Sequence, residues 1–257
     1  MTAPYTAHLH ELDAMRKYPR ALFYRGNAAL LKRVKLSVVG SRHSNAYAKF
    51  ATQELAAKLA GVGVCIVSGG AMGIDAVAHA AAGVSDTIAV LGNGLDIRYP
   101  AVNAALLESI EQKGLLLSPF EDGFKAANWS FVVRNEIVVA LGEALIVAQA
   151  DENSGSMRSV EYALAMGKKV YVLPHRIGDS EGTNRLLQEG KAEAIYDIDA
   201  FVARYGEAAK CVEDPFLTFC RSNPSYEEAV RTYPQEVFSY ELEGKIAVVA
   251  GKITVAF

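Results

Sequence analysis

The chain has 257 residues, 51% of them apolar, and a formal net charge of −3 at pH 7. This is enough for one large α/β domain plus a small appendage, and the charge does not advertise a polyanion partner. No apolar run reaches the about 20 residues of a membrane-spanning helix, and the opening MTAPYTAHLHELDAMRKYPR lacks the apolar core of a secretory signal. Cys65, Cys211 and Cys220 show neither a C-x-x-C pair nor metal-ligand spacing, so a cytoplasmic protein without a metal is expected.

In chain order, short apolar runs predict strands at 36–39, 64–67, 87–91, 115–117, 144–148 and 170–173. Helical patterns at 47–60, 74–82, 102–112, 131–140 and 157–165 fall between them. Near-continuous Val/Ile/Leu strands with a helical crossover after each predict an α/β fold, a doubly wound and mostly parallel sheet. Ligands of such sheets bind beyond the carboxyl ends of the strands. Here those ends carry the loops GSRHSN, SGGAMG, GNGLDIRYP, SPFEDG and QADENSGS.

After Tyr205 the pattern changes to three short helical pieces and two apolar runs around Ala250-Gly251. That order predicts a small winged-helix-like domain over 213–257, beside a large domain over 1–205 whose first 34 residues are an extension. Charge divides the same way. Residues 14–53 hold nine bases (Arg16, Lys17, Arg20, Arg25, Lys32, Arg33, Lys35, Arg42, Lys49) and no acid, whereas 206–243 hold eight acids against three bases. A basic binding front with an acidic appendage is one reading; solvated faces with chance clustering is the other.

The run VCIVSGGAMGIDAVAHAAA joins a strand through a glycine-rich turn to a helix, a natural place for a phosphate. The dinucleotide fingerprint G-x-G-x-x-G with its distal acid is missing, and so is a Walker A lysine. Asp75 and His79 share a helix face, but Asp75 reads as a carboxylate serving first-turn N–H groups and His79 as a core histidine. No catalytic triad, metal cluster or carboxylate pair is legible. Gly40-Ser41-Arg42-His43, Ser68-Gly69-Gly70, the aromatic Phe131 with Arg134, and Lys168 fit single-stranded nucleic acid instead. Amides and cations track phosphates there, while a ring stacks on a base of any identity. The reading that stays open beside it is a Rossmann-like enzyme or sensor acting on a small nucleotide.

The ordered motifs VVGSR, IVSGGAMGIDAVAH, LGNGLDIRYPAVN, FVVRN, SGSM and GTNRLLQEG resemble the DNA-processing protein A (DprA/Smf) family. The resemblance implies an extended Rossmann-type domain that binds single-stranded DNA and has no cofactor and no catalytic reaction. It also implies a homodimer that protects incoming DNA and loads a RecA-type recombinase during natural transformation in competent cells. Carried over, the phosphate loops are Gly40-Ser41-Arg42 and Ser68-Gly69-Gly70, the path cation is Lys168 and the aromatic is Phe131. Three departures stand out: Glu136 where the family has a second arginine after Asn135, His43 where it often has a base, and His175 where a glycine commonly follows the proline of VYVLP.

Overall fold

The computed structural model describes residues 2–206, 215–220, 222–242, 246–249 and 251–255. Cys211, Ala250 and the start of the appendage at Glu213 lie outside them. The chain divides into two compact units, Met1–Glu207 and Ala208–Phe257.

The first unit is built on nine strands: β1 (Ala3–Pro4), β2 (Phe23–Gly26), β3 (Lys35–Val39), β4 (Cys65–Ser68), β5 (Thr87–Val90), β6 (Leu115–Ser118), β7 (Ala144–Val147), β8 (Lys169–Val172) and β9 (Glu193–Ala194). Their spatial order is β1-β2-β6-β5-β4-β3-β7-β8-β9. From β6 to β9 every pairing is parallel, while β1 and β2 add an antiparallel margin beyond β6. Residues 3–4 and 23–26 of the N-terminal extension thus add strands to the sheet. Helices α1 (Ala46–Gly61), α2 (Ile74–Ala82), α3 (Ala104–Lys113), α4 (Asn128–Leu141), α5 (Gly155–Ala165), α6 (Glu181–Gln188) and α7 (Ile198–Val202) connect the strands or follow them. The six expected strands and five expected helices are present, with ends shifted by a few residues. The stretch read as one helix from 102 begins as a 3-10 turn, Ala101–Asn103, before α3.

Alternation within each strand sorts the two layers. Ile66 of β4 packs with Leu55 and Leu59 of α1 and Ala78 of α2, whereas Cys65 and Val67 pack with Ile137–Leu141 of α4. Polar residues inside the strands are satisfied locally. Ser37 donates to the Val138 carbonyl (2.6 Å), Ser68 to that of Val38 (2.6 Å) and Thr87 to that of Ile66 (2.7 Å). The chain winds from β3 outward to β6, then returns to lay β7 against the other side of β3. The crevice at that reversal, outside the carboxyl ends of β3 and β7, is where a doubly wound sheet offers a site.

The second unit contains α8 (Pro215–Cys220), α9 (Tyr226–Thr232), α10 (Pro234–Leu242) and the antiparallel hairpin β10 (Ile246–Val249) with β11 (Lys252–Val255). Phe216, Cys220, Ala229, Val237, Ile246 and Ile253 form its core. Ser225 bridges Lys252 in antiparallel fashion, so among the described residues the order runs helix, bridge, two helices, hairpin.

Candidate nucleic-acid interface

Two loops at the carboxyl edge are locked together. The Ser41 N–H donates to the Gln149 carbonyl (2.8 Å), and the Ser41 carbonyl accepts the Ile74 N–H at the start of α2 (3.2 Å). Gly73, at φ +77°, lies so close to Ser41 that a side chain there would strike its carbonyl. Ser41 Oγ accepts the His43 N–H (3.1 Å), which turns the chain and leaves Arg42 and His43 exposed.

The glycine-rich turn is held from inside. Asp75 Oδ2 accepts the N–H groups of Gly69 (3.1 Å) and Ala71 (3.3 Å), and Asn103 Nδ2 donates to the carbonyls of Gly70 and Ala71 (3.0 Å each). Ser68, Gly69 and Gly70 are buried. Asp75 thus does what its first-turn position suggests, with a consequence for the site. The amides of Gly69 and Ala71 point into the protein, so they are not the donors an incoming anion would meet. Glycine at 69 serves packing, because a Cβ there would overlap the Arg134 guanidinium.

Arg134 lies beneath this turn, 4% exposed, and donates from Nη1 to the Val90 carbonyl (3.2 Å), while its Nε has no hydrogen-bond partner among the described residues. Burial, and secondarily Arg42, pull its pKa down against the attraction of Asp75; a guanidinium stays charged regardless. Burial pushes the Asp75 carboxyl up, opposed by Arg134 and by the amides it accepts.

Phe131 is set by its neighbour Ser130. Ser130 Oγ accepts the Ala127 N–H (3.0 Å) and donates to the Gly92 carbonyl (2.6 Å), fixing the first turn of α4 against the loop after β5. Any Cβ at Gly92 would come within 2.8 Å of the Phe131 ring. The guanidinium carbons of Arg42 and Arg134 each stand 5.7 Å from the ring centroid, and the half-exposed Tyr99 stacks on it at 5.9 Å and 30°. An open groove of about 410 Å³ runs from this cluster past Gly40, Ser41 and Asn135 to Ser154-Gly155-Ser156 at the N-terminus of α5. On the other side of Phe131 a cleft of about 30 Å³, lined by Met72, Leu91 and Tyr99, has room for about two waters.

The structure therefore brings Gly40, Ser41, Arg42, Gly69, Phe131 and Arg134 to one place, with His43 exposed next to Arg42, and Ser68 and Gly70 buried in the turn beneath. Lys168 is not with them. It precedes β8 and so stands at the amino edge, opposite the groove. Its ammonium caps the last turn of α4 by donating to the carbonyls of Ala140 (2.6 Å) and Gly142, the placement a helix C-terminus favours for a cation. Burial lowers its pKa. The basic stretch is also partly spent inside the protein. Arg25 pairs with Glu111 and Asp122, Arg33 with Asp86, and the buried Lys35 with Glu11. Glu136, the departure from the family motif, accepts the Arg16 N–H (2.9 Å). Sequence reasoning missed Tyr99, Asn103 and Ser154–Ser156 as parts of the site. Tyr99 and Ser154 lie in loops that follow strands, which was the available signal, whereas Asn103 closes the 3-10 turn Ala101–Asn103 and Gly155 and Ser156 open α5.

The family model for DNA recombination-mediator protein A matches residues 2–206. DNA processing protein DprA of Streptococcus pneumoniae is 39% identical over 184 residues, 70% of this chain and 65% of that protein. Protein Smf of Escherichia coli K12 is 41% identical over 187 residues, 70% of this chain and 50% of that protein. The chain thus spans about half to two thirds of the length of these curated relatives. Among solved structures, DNA processing protein A of Helicobacter pylori, described for its single-stranded DNA binding mode, is 37% identical with a TM-score of 0.77, covering 79% of this chain and 94% of that one. The Streptococcus pneumoniae structure is 36% identical with a TM-score of 0.72, covering 78% and 71%. A family match running the length of the large unit, joined by relatives of this identity, makes the chain a member of the DprA/Smf family of DNA recombination mediators.

Proposed function

We propose that the groove between β3 and β7 binds single-stranded DNA, with Arg42 on a phosphate and Phe131 stacked on a base. The observation that carries this is the cluster of Arg42, Phe131, Tyr99 and Arg134 at the mouth of an open groove. The role is binding, not turnover. Family membership supports the further reading of a cytoplasmic homodimer that protects incoming DNA and loads a RecA-type recombinase during natural transformation. Light scattering tests the dimer; a mass of one chain at micromolar concentration refutes it.

Titration with labelled oligothymidine over a salt series tests the groove. Arg42→Ala should weaken binding and make the plot of log affinity against log salt shallower by about 0.7, one phosphate's share for a single strand. Phe131→Ala should cost about 1–3 kcal/mol of binding and leave that slope unchanged, because a stacking face is lost and no charge. Lys168→Ala should bind with the parent's slope, since its ammonium is committed to α4. Parent-like affinity of Arg42→Ala at low and moderate salt would sink the proposed path.

We further propose that the large unit carries the single-strand site alone and that the acidic small unit makes a protein contact. A chain ending at Tyr205 should keep most of the affinity. A loss of tenfold or more, about 1.4 kcal/mol, would assign part of the site to the small unit.

A further inference from the structure

The N-terminal segment carries a cluster of donor atoms that the groove does not use. His10 and Asp13 lie three apart in the 3-10 helix His10–Ala14, where such side chains eclipse and project the same way. His8 folds back over them. Its Nε2 is 2.9 Å from Asp13 Oδ1 and 3.0 Å from Oδ2, and His10 Nδ1 is 3.5 Å from Asp13 Oδ2. One donor atom from each of the three residues falls within 4.8 Å of the others. A tetrahedral ion with bonds of about 2.0–2.1 Å holds its ligand atoms about 3.3 Å apart, close to the spacings of Asp13 from His8 and from His10, while the third pair needs at most a rotamer adjustment of the exposed His10.

The cluster is also braced. The His8 ring stacks on Tyr18 (5.1 Å, 10°), and the Tyr18 hydroxyl accepts the Leu9 N–H (3.0 Å). Leu9, Leu12 and Met15 of the same segment are buried in the core, so the turn that presents the three donors is pinned from below. Two imidazoles and one carboxylate suit a borderline transition ion such as Zn²⁺, Ni²⁺ or Co²⁺ better than Mg²⁺ or Ca²⁺.

We propose that His8, His10 and Asp13 form a binding site for one divalent transition-metal ion, with its remaining positions open to water. The donors lie at the surface, His10 with 89% of its side chain exposed, so the ion is exchangeable. It would tie down the turn whose Glu11 pairs with Lys35.

The test is calorimetric titration of the full chain with NiCl₂ and with ZnCl₂, in a Cys211→Ser background so that this thiol supplies no ligand. One saturable equivalent is expected, and its affinity should fall as pH is lowered, because imidazole binds metal only when deprotonated. His10→Ala removes an exposed donor and Asp13→Asn removes the carboxylate charge, and each should weaken binding at least tenfold, with circular dichroism unchanged. His43→Ala should bind as the parent does. The proposal is overturned by an absence of saturable binding at about 1 mM metal, a millimolar Kd being worth only about 4 kcal/mol. It is equally overturned if the His10 and Asp13 variants keep the full equivalent; His8 and Asp13 then share a hydrogen bond and nothing more.

Discussion

Asp75→Ala should cost the large unit about 3–5 kcal/mol of folding stability, the scale on which a buried charge loses its partner, and take nucleic-acid binding with it. The residue does two things at once. It accepts the N–H groups of Gly69 and Ala71, and it is the nearest opposing charge for the buried Arg134. Alanine leaves two donors unpaired at about 1–3 kcal/mol each and a buried guanidinium with no opposing charge, hydrogen-bonded only to the Val90 carbonyl among the described residues. Asp75→Asn keeps an acceptor and loses the charge, so it should fall between alanine and the parent. Urea denaturation measures the first effect and oligothymidine titration the second. If the alanine variant unfolds within 1 kcal/mol of the parent, about the median cost of an ordinary substitution, then Asp75 does not hold the turn.

Acid should destabilise the protein through His79, well before most carboxylates titrate. The side chain is fully buried, and burial, with a smaller push from Arg134, drives its pKa down to about 3. Thr87 donates its hydroxyl to the Ile66 carbonyl and therefore accepts from His79 Nδ1 (2.6 Å), so Nε2 is the bare nitrogen and has no partner among the described residues. The unfolded chain takes up a proton near pH 6.5. A base with a depressed folded pKa contributes stability that is present above about 6.5 and is lost as pH falls toward about 3. The slope in that window is about 1.4 kcal/mol per pH unit. Asp75 acts in the opposite sense: its folded pKa is raised, so its contribution is full below the ordinary carboxylate value and is lost as pH rises through the folded one. The difference between parent and His79→Gln isolates the histidine. Stability curves for the two that run parallel between pH 6.5 and about 3 would refute the assignment.

The parallel core was legible because each of its strands is an apolar run buried on both faces, and the crossover helices follow at once. The margins were not. β1 and β9 have two residues each, too few for any periodicity, and β2 is the half-exposed FYRG. At the site, Arg42 comes from the loop after β3 and Phe131 and Arg134 from the first turns of α4, and the fold brings these three expected residues together. The role of the glycines was not legible, since a turn that must admit a phosphate and a turn that must admit Arg134 both exclude a Cβ. Lys168 was misplaced although topology could have corrected it: a residue just before a parallel strand lies at the edge away from the ligand loops. The spacing His8-x-His10-x-x-Asp13 resembles no standard ligand motif, and only the fold-back of His8 brings its donors together.

The hydrogen bonds that brace the glycine-rich turn also bear on how binding is divided between partners. Asp75 and Asn103 hold the turn from within, and Gln149 fixes the loop beside it, all through the protein's own groups. A floor braced by so many of the protein's own hydrogen bonds has little entropy to lose if the groove takes a strand as proposed. On the proposed function, the ordering falls almost wholly on the flexible strand. Encounter rates should then follow ionic strength and oligonucleotide length, with no slow loop-closing phase.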